Sequence, residues 1–338
     1  MYFRQTLSIS FFSSILLTTL FLHFFGEKSE TTLRNFYRES ICKCDTLRPK
    51  IIIDTIGIPS VNYYSVSGEH IGIQTNPLEI CKYGLTYFES YQAGELSSKP
   101  KLLACSNWLI ENSEQIDSFA FYHYKYPKKA YNLTAGWLSA MTHGMAIQLL
   151  IHVYNETQDS IYLLKSEQIL NTFFLPVDSG GITYKTENEG WWYEEYAQLG
   201  STKPYVLMGM LDALLGIHIY YQKTHQKNAY FLFNKGMIAL EKNLHKYHRE
   251  NNFSMNDLVG HKANWEYHSR HVQLLKELYT ITHSATIKKY IEKWQKATPK
   301  PYLLKSLKER NKTFLVLTFS ILMFSFFVLV IIHQHFRS

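Results

Sequence analysis

The chain has 338 residues, a net charge of +7 and an aromatic content of 15%. This length allows one large domain or two modest ones, and the aromatic content indicates a packed core and excludes a disordered chain. Lys and Arg are scattered and form no RNP, zinc-finger or basic-helix pattern, so we expect no nucleic-acid partner.

Two apolar segments, at residues 8–25 and 313–332, predict a membrane helix near each end of the chain. Neither contains Lys, Arg, Asp or Glu, and each approaches the ~20 residues that cross a bilayer. No small-residue cleavage site follows the first segment, so we interpret residues 1–26 as an uncleaved signal anchor.

The orientation in the membrane stays open at this point. Basic residues in 305–312 favour a cytoplasmic domain. Four Asn-X-Ser/Thr sequons instead favour a Golgi-like lumen in a eukaryote or the periplasmic face in a bacterium, which we prefer. The sequons are at Asn132, Asn155, Asn252 and Asn311.

The segment from residue 34 to residue 75 is predicted to be β-rich, because residues 50–75 are β-branched and interrupted by turn residues. The chain also has four cysteines, whose spacing does not fit a zinc site. We expect one disulfide or buried thiols, and no metal. The cysteines are Cys42, Cys44, Cys81 and Cys105.

Residues 76–300 contain a helical repeat of about 60 residues. The run HGMAIQLLIHVYNET from His143 resembles HSRHVQLLKELYTIT from His268, with the same His, Gln, Leu-Leu, Tyr and Thr positions. Apolar residues from Met141 to Val153 follow helical spacing, and Asp159 or Ser160 can cap a second helix. Each repeat is therefore predicted to be a pair of antiparallel helices.

Four such hairpins are predicted: 76–92 with 100–113, 141–153 with 160–174, 205–221 with 228–248, and 268–282 with 284–297. No strand pattern alternates with them, which excludes Rossmann and TIM-barrel folds. Long aromatic linkers precede the first helix of three hairpins and favour a closed α/α toroid over a solenoid, with the linkers at one rim. The predicted fold is thus mainly α.

Two of these rim linkers carry acid–base chemistry. WYEEY (192–196) supplies carboxylates and phenols, and NWEYHSRH (264–271) supplies another carboxylate, a phenol and two imidazoles. A glutamate of one linker and a tyrosine of the other form a workable acid–base pair if burial raises the carboxylate pKa and positive charge activates the phenol. We expect Glu194 to face solvent or to pair with a lysine.

Three ordered runs resemble the C-terminal domain of the D-glucuronyl C5-epimerases, which convert glucuronate to iduronate within heparan-type polysaccharides. They are GWLSAMTHGMAIQLLIHVYNETQDSIYL, WYEEY followed by PYVLMGMLDALLGIHIY, and WEYHSRHVQLL. The resemblance covers about residues 76–297. It implies proton abstraction and return at C5, no organic cofactor, and an anionic uronate polysaccharide as partner. A homodimer is left open.

The resemblance assigns the proton transfers to Glu195 and Tyr267. His268 and His271 are expected to orient the tyrosine or face the sugar carboxylate, while for the tryptophans sugar stacking and core packing are equal alternatives. His143 is interpreted as a helix-start residue. The predicted substrate-binding residues are Tyr193, Tyr196, His268, His271, Trp137 and Trp265.

The chain departs from the family at two positions. Met208 stands where the family has Asn, and Phe253 or a neighbour stands where a second functional tyrosine is expected, with an Arg absent nearby. These departures keep a non-catalytic polysaccharide-binding protein as an alternative. A uronate lyase is another, because a lyase also removes the C5 proton but then expels the 4-substituent. A glycosidase would need two carboxylates at a set separation, which only Glu194 or Glu195 with Glu266 could supply.

Overall fold

A computed structural model describes residues 2–36, 50–64, 70–298, 302, 306 and 312–335 of the protein. The chain divides into two compact units. One is formed by the two ends of the chain, and the other comprises residues 49–297.

The terminal unit consists of α1 (Tyr2–Phe36) and α10 (Lys312–His335). The first helix continues about ten residues beyond the predicted apolar segment. Ser10 hydrogen bonds to His333 at 3.1 Å, and Thr18 lies 3.5 Å from Ser325, so the helices are antiparallel. Both are long and apolar enough to cross a membrane by length and composition.

The second unit begins with an antiparallel sheet, which confirms the predicted β-ribbon. Its strands β1 (Lys50–Ile53), β2 (Pro59–Tyr64) and β3 (His70–Gln74) lie in that order. Cys81 and Cys105 are buried free thiols on the helices that follow. Cys42 and Cys44 lie outside the described residues, as does the sequon residue Asn311.

Four helical hairpins follow the sheet, and each confirms a predicted pair. Apolar side chains at helical spacing fill their contacts, and the second helix of the second hairpin is capped by Asp159, as predicted. The pairs are α2 (Pro77–Gln92) with α3 (Ser98–Glu111), α4 (Ala140–Thr157) with α5 (Ser160–Asn171), α6 (Leu207–Thr224) with α7 (Lys227–Asn243), and α8 (Trp265–Thr282) with α9 (Ala285–Trp294).

The first helices of successive hairpins pack against each other: α2 on α4, α4 on α6, and α6 on α8. The α4–α6 contact is the most extensive of these three. It depends on Gly144 and Gly216, because a Cβ on either would collide with the backbone of the facing helix. This row of helices places three helix N-termini, those of α4, α6 and α8, next to the rim linkers.

The linkers also contain two short β-hairpins, which the sequence did not predict. They are β4 (Glu114–Ile116) with β5 (Phe119–Phe121), and β6 (Thr183–Thr186) with β7 (Gly190–Tyr193). The WYEEY run therefore begins in a strand and leaves it at Glu194. Tyr196 of this run packs against a separate hydrophobic cluster, which is formed by Tyr124, Tyr126, Tyr131, Leu133, Trp137 and Val206.

Candidate active site

Glu195 is the second residue after β7 and is 8% exposed. The Tyr196 hydroxyl and the backbone N–H of Gly209 lie near its carboxylate, and both lower the pKa of that group. Gly209 is in the first turn of α6, where the helix dipole favours a negative charge. A Cβ at position 209 would lie 2.5 Å from the Glu195 Cβ, so this close approach requires glycine.

Opposing effects set the protonation of Glu195. Burial raises the pKa of its carboxyl above the ordinary glutamate value. The Tyr196 hydroxyl and the positive charges of Lys128 and Lys82 oppose this rise. A carboxylate with a raised pKa is a stronger base than an ordinary one, and this is the property that removal of a carbon-bound proton requires.

Lys128 and Lys82 are site residues that the sequence analysis missed. The Lys128 ammonium lies 5.0 Å from the centroid of the Tyr196 ring, and burial lowers its pKa. Lys82, on α2, forms an ion pair with Glu79 at 2.9 Å. Lys128 lies among basic residues that alternate with the linker tyrosines, which was its only sequence signal, and Lys82 had none.

Tyr267 lies in the first turn of α8 and is 45% exposed. Its backbone N–H donates to the Asn264 side chain at 2.8 Å, which caps the helix. Burial raises the pKa of its phenol, the negative charge of Glu195 raises it further, and Lys82 lowers it. The two predicted acid–base residues are therefore near enough for their charges to interact.

Tyr196 is held in place by aromatic packing. Its ring stacks on the Tyr131 ring, with 4.3 Å between the ring centroids. It lies tilted against the Trp137 ring, with 5.4 Å between the centroids. The Tyr131 hydroxyl donates to the Asp257 carboxylate at 2.7 Å. Trp137 is buried, stacks on Tyr124 at 3.6 Å and donates from Nε1 to a backbone carbonyl. Trp137 thus packs in the core against Tyr196, and its contact with a sugar stays a prediction.

Three predicted substrate-binding residues are buried in the core, and their contact with substrate stays a prediction. Tyr193 is fully buried and donates its hydroxyl hydrogen to the Leu232 carbonyl at 2.6 Å. His268 accepts the Ser254 backbone N–H at Nδ1, 3.0 Å away. Its Nε2 then donates to the Trp294 carbonyl at 3.1 Å, which fixes the neutral tautomer.

His271 is the third of these core residues. Its Nδ1 lies 2.9 Å from the Ser254 hydroxyl, and burial lowers its pKa to about 3, so the imidazole is neutral. The two histidines tie the linker before α8 to the α8–α9 hairpin. Trp265, by contrast, is 46% exposed at the start of α8, and its contact with a sugar stays a prediction.

Glu194 is fully buried, so the expectation that it faces solvent or pairs with a lysine was wrong. Its carboxylate accepts the backbone N–H groups of Tyr205 at 2.7 Å, Tyr196 at 3.3 Å and Val206 at 3.4 Å. Burial raises its pKa to about 8. These bonds join the end of β7 to the residues that start α6, and they thereby fix the backbone on both sides of Glu195.

Asp212 is a third buried carboxyl group near the site, which the sequence analysis did not single out. It lies one turn beyond Gly209 on α6, and Arg270 approaches its Oδ1 at 3.5 Å from α8. Burial raises its pKa to about 7, and Glu195 adds to the rise. A lone Asp within the apolar run MGMLDALLG was the sequence signal for it.

Phe253 stacks on the buried His268 at 4.7 Å and lies 6.0 Å from Trp265. Its half-buried ring packs against these two side chains, and a phenyl ring has no acidic proton to give to a substrate. His143 is also buried; its Nδ1 donates to the Ser139 carbonyl, and burial lowers its pKa to about 4, consistent with a role at the helix start. Among the described residues, no three His, Cys, Asp or Glu side chains could together hold a metal ion.

Comparison with known proteins adds to this geometry. An uncharacterised protein of Methanocaldococcus jannaschii is 27% identical over 264 residues, which are 72% of this chain and 84% of that protein. The D-glucuronyl C5-epimerase of Caenorhabditis elegans is 25% identical over 232 residues, 60% of this chain but only 37% of the worm protein. Residues 115–296 match the model of the D-glucuronyl C5-epimerase C-terminus. This region holds Glu195, Tyr196 and Tyr267, and by it the chain belongs to the D-glucuronyl C5-epimerase C-terminus family.

Proposed function

We propose that this protein is a membrane-anchored uronyl C5-epimerase that converts D-glucuronate to L-iduronate residues in a heparan- or heparosan-like polysaccharide. The observation that carries the proposal is that Glu195, after β7, lies near enough to Tyr267, in the first turn of α8, for its charge to raise the pKa of the phenol. Both lie in the region that matches the family.

The proposed reaction moves two protons. The Glu195 carboxylate takes the proton from C5, and the electron pair of that bond delocalises into the C6 carboxylate. The Tyr267 phenol then donates its proton to C5 from the opposite face, which inverts the carbon. Lys82 favours this step because its positive charge stabilises the phenolate that Tyr267 becomes. Solvent returns both groups to their starting states.

We also propose that the four hairpins close into an α/α toroid. The packing of α2 on α4, α4 on α6 and α6 on α8 supports a ring of first helices. The charges of Lys82 and Glu79, both on α2, act on Tyr267 on α8, which supports an approach of the first and last hairpins. In such a ring the substrate groove runs across the rim that carries Glu195.

The direct test is deuterium incorporation at C5 of N-deacetylated or desulfated glucuronate polymers in D₂O, using the full chain in detergent. We expect label and iduronate with the wild type. Tyr267→Phe and Glu195→Gln should each reduce the rate at least about 100-fold, because a positioned acid or base contributes ~10²–10⁴-fold. Tyr230→Phe, on the exposed surface of α7, is the matched control.

Label that persists in both site variants would refute the assignment of the two residues. No label with heparosan-type or chondroitin-type polymers would refute the epimerase proposal and favour the binding protein, an alternative that the packed Phe253 supports. An unsaturated uronate product in place of iduronate would instead identify a lyase.

A further inference from the structure

We propose that Lys128 binds the carboxylate of the substrate uronate and makes the site selective for uronates over neutral hexoses. This inference rests on the proposed function and adds to it a specificity-determining residue that neither the sequence motifs nor the comparisons identify.

The backbone around Lys128 is fixed. Its N–H and carbonyl pair with Leu133 at 3.0 and 3.2 Å, and its carbonyl also accepts the Tyr131 N–H at 3.0 Å. This closed turn belongs to the linker before α4. The ammonium is therefore presented to the site from a rigid support, which reduces the entropy lost when it binds an anion.

The ammonium lies against the catalytic carboxylate through one intervening side chain. It is 5.0 Å from the Tyr196 ring centroid, and burial and the charge of Glu195 raise the pKa of the Tyr196 phenol. Tyr196 is itself held by the stacked Tyr131 ring. Lys128, Tyr196 and Glu195 thus lie together as one group.

Lys128 has no ion-pair partner in the described part of the chain. Glu195 is the carboxylate whose charge acts on it and raises the pKa of its ammonium, but the two groups form no ion pair. Lys82 differs, since Glu79 holds it at 2.9 Å. A half-buried cation without an ion-pair contact is unfavourable in the free protein and is stabilised once a second anion binds to it.

The chemistry of the substrate explains why this anion is the uronate carboxylate. C5 and C6 are bonded neighbours, so the group that takes the C5 proton and the group that holds the C6 carboxylate must themselves be neighbours. Negative charge grows on the carboxylate as the proton leaves, and a fixed cation stabilises it in the transition state. A neutral hexose lacks this partner and leaves Lys128 unpaired.

The test compares the binding of two ligands by calorimetry to the full chain in detergent: a heparosan octasaccharide and its carboxyl-reduced form, with glucose in place of glucuronate. The variants are Lys128→Gln, Lys128→Arg and the matched control Lys125→Gln, an exposed lysine on the same linker. We expect the wild type and Lys125→Gln to prefer the carboxylated ligand at least about tenfold.

Lys128→Gln should lose this preference while its affinity for the reduced ligand stays within about twofold, and Lys128→Arg should keep it. Three results would overturn the inference: an unchanged preference in Lys128→Gln, an equal loss of affinity for both ligands with a lowered melting temperature, or a wild type without preference. The C5 exchange assay is scored separately. A Lys128-dependent preference without exchange refutes the epimerase alone, and exchange with an unchanged preference refutes the Lys128 assignment alone.

Discussion

Glu194 and Glu195 are adjacent in the sequence, but their carboxylates meet different surroundings. Glu194 accepts three backbone N–H groups inside the core. Glu195 faces Tyr196, the start of α6 and the charges of two lysines. The strand β7 ends at Tyr193, so the backbone beyond it turns the two side chains to different sites. Glu194 holds the linker, and Glu195 is the one that can meet a substrate.

Glu194 predicts a pH-dependent stability. In the folded protein, burial raises the pKa of the Glu194 carboxyl to about 8. In the unfolded chain, the pKa of a glutamate is ~4.3. Between these values the folded state binds more protons, so stability falls as pH rises, with a slope approaching ~1.4 kcal/mol per pH unit. Glu194→Gln cannot lose a proton, and this part of the pH dependence should disappear in that variant.

Thermal melts of the full chain in detergent from pH 5 to pH 9 check this prediction. The melting temperature of the wild type should fall relative to that of Glu194→Gln as pH rises. Glu292→Gln, an exposed position on α9, should follow the wild type. Parallel curves for the wild type and Glu194→Gln would contradict the prediction and show that the three backbone donors keep Glu194 ionised in the fold.

The sequence analysis proposed Glu195 and Tyr267, whose roles stay predictions, but it did not place their buried neighbours. In the linker that carries WYEEY no periodicity distinguishes inward from outward positions, so Tyr193 and Glu194 could not be assigned to the core. His268 and His271 lie three residues apart on α8, but their shared partner Ser254 lies in a linker and is brought to them only by the fold. The sequence analysis missed the two lysines for a different reason. Lys82 reaches the site from α2 through the tertiary fold, and a distant cation leaves no local pattern beside the residues that it influences.

At the scale of secondary structure, the N-terminus of α8 positions the proposed acid. Asn264 is the N-cap, and its side chain accepts the N–H of Tyr267 itself at 2.8 Å. The cap therefore fixes the turn that carries the phenol. In the same way α6 begins at the residues that Glu194 holds, and it offers the Gly209 N–H to Glu195.

Asn264→Ala should affect activity beyond its effect on stability. Loss of the cap costs about 1 kcal/mol and frays the first turn of α8, and a small displacement of Tyr267 should reduce C5 exchange at least about tenfold. Asn264→Ser retains an acceptor and should restore most of the rate. The measurements are the exchange rate and the melting temperature.

The matched control is Ser284→Ala, which removes the N-cap of α9, where the serine accepts the Ile287 N–H at 3.3 Å. It should lower the melting temperature by a similar amount and leave exchange unchanged. If both variants lose exchange equally, the role of Asn264 is stability alone, and the positioning argument fails.

The helices could be predicted from sequence because burial repeats with the helical period over three or four turns, and all four hairpins were found within a few residues. The strands β4 to β7 have only three or four residues each. An alternation that short cannot be distinguished from an aromatic loop. Their pairing also depends on the hairpins that hold the linkers, which local sequence does not describe.

At the scale of the whole molecule, the two terminal helices predict where the ends of the chain lie. α1 and α10 pack antiparallel, with polar contacts from Ser10 to His333 and from Thr18 to Ser325. Such contacts between helices in a membrane contribute about 1 kcal/mol each. If both helices span the bilayer, both chain ends lie on one side and the residues between the helices on the other.

Epitope tags at residues 1 and 338 and a protease site inserted at the exposed turn around Gly94 would test this arrangement in sealed vesicles. We expect both tags to be accessible from the same side, and the site at Gly94 from the opposite side only. Tags on opposite sides would mean that one helix does not cross the membrane, because two antiparallel spans must return the chain to its starting side. Accessibility of all three from one side would mean that neither helix crosses, and the apolar faces would then lie in the membrane interface.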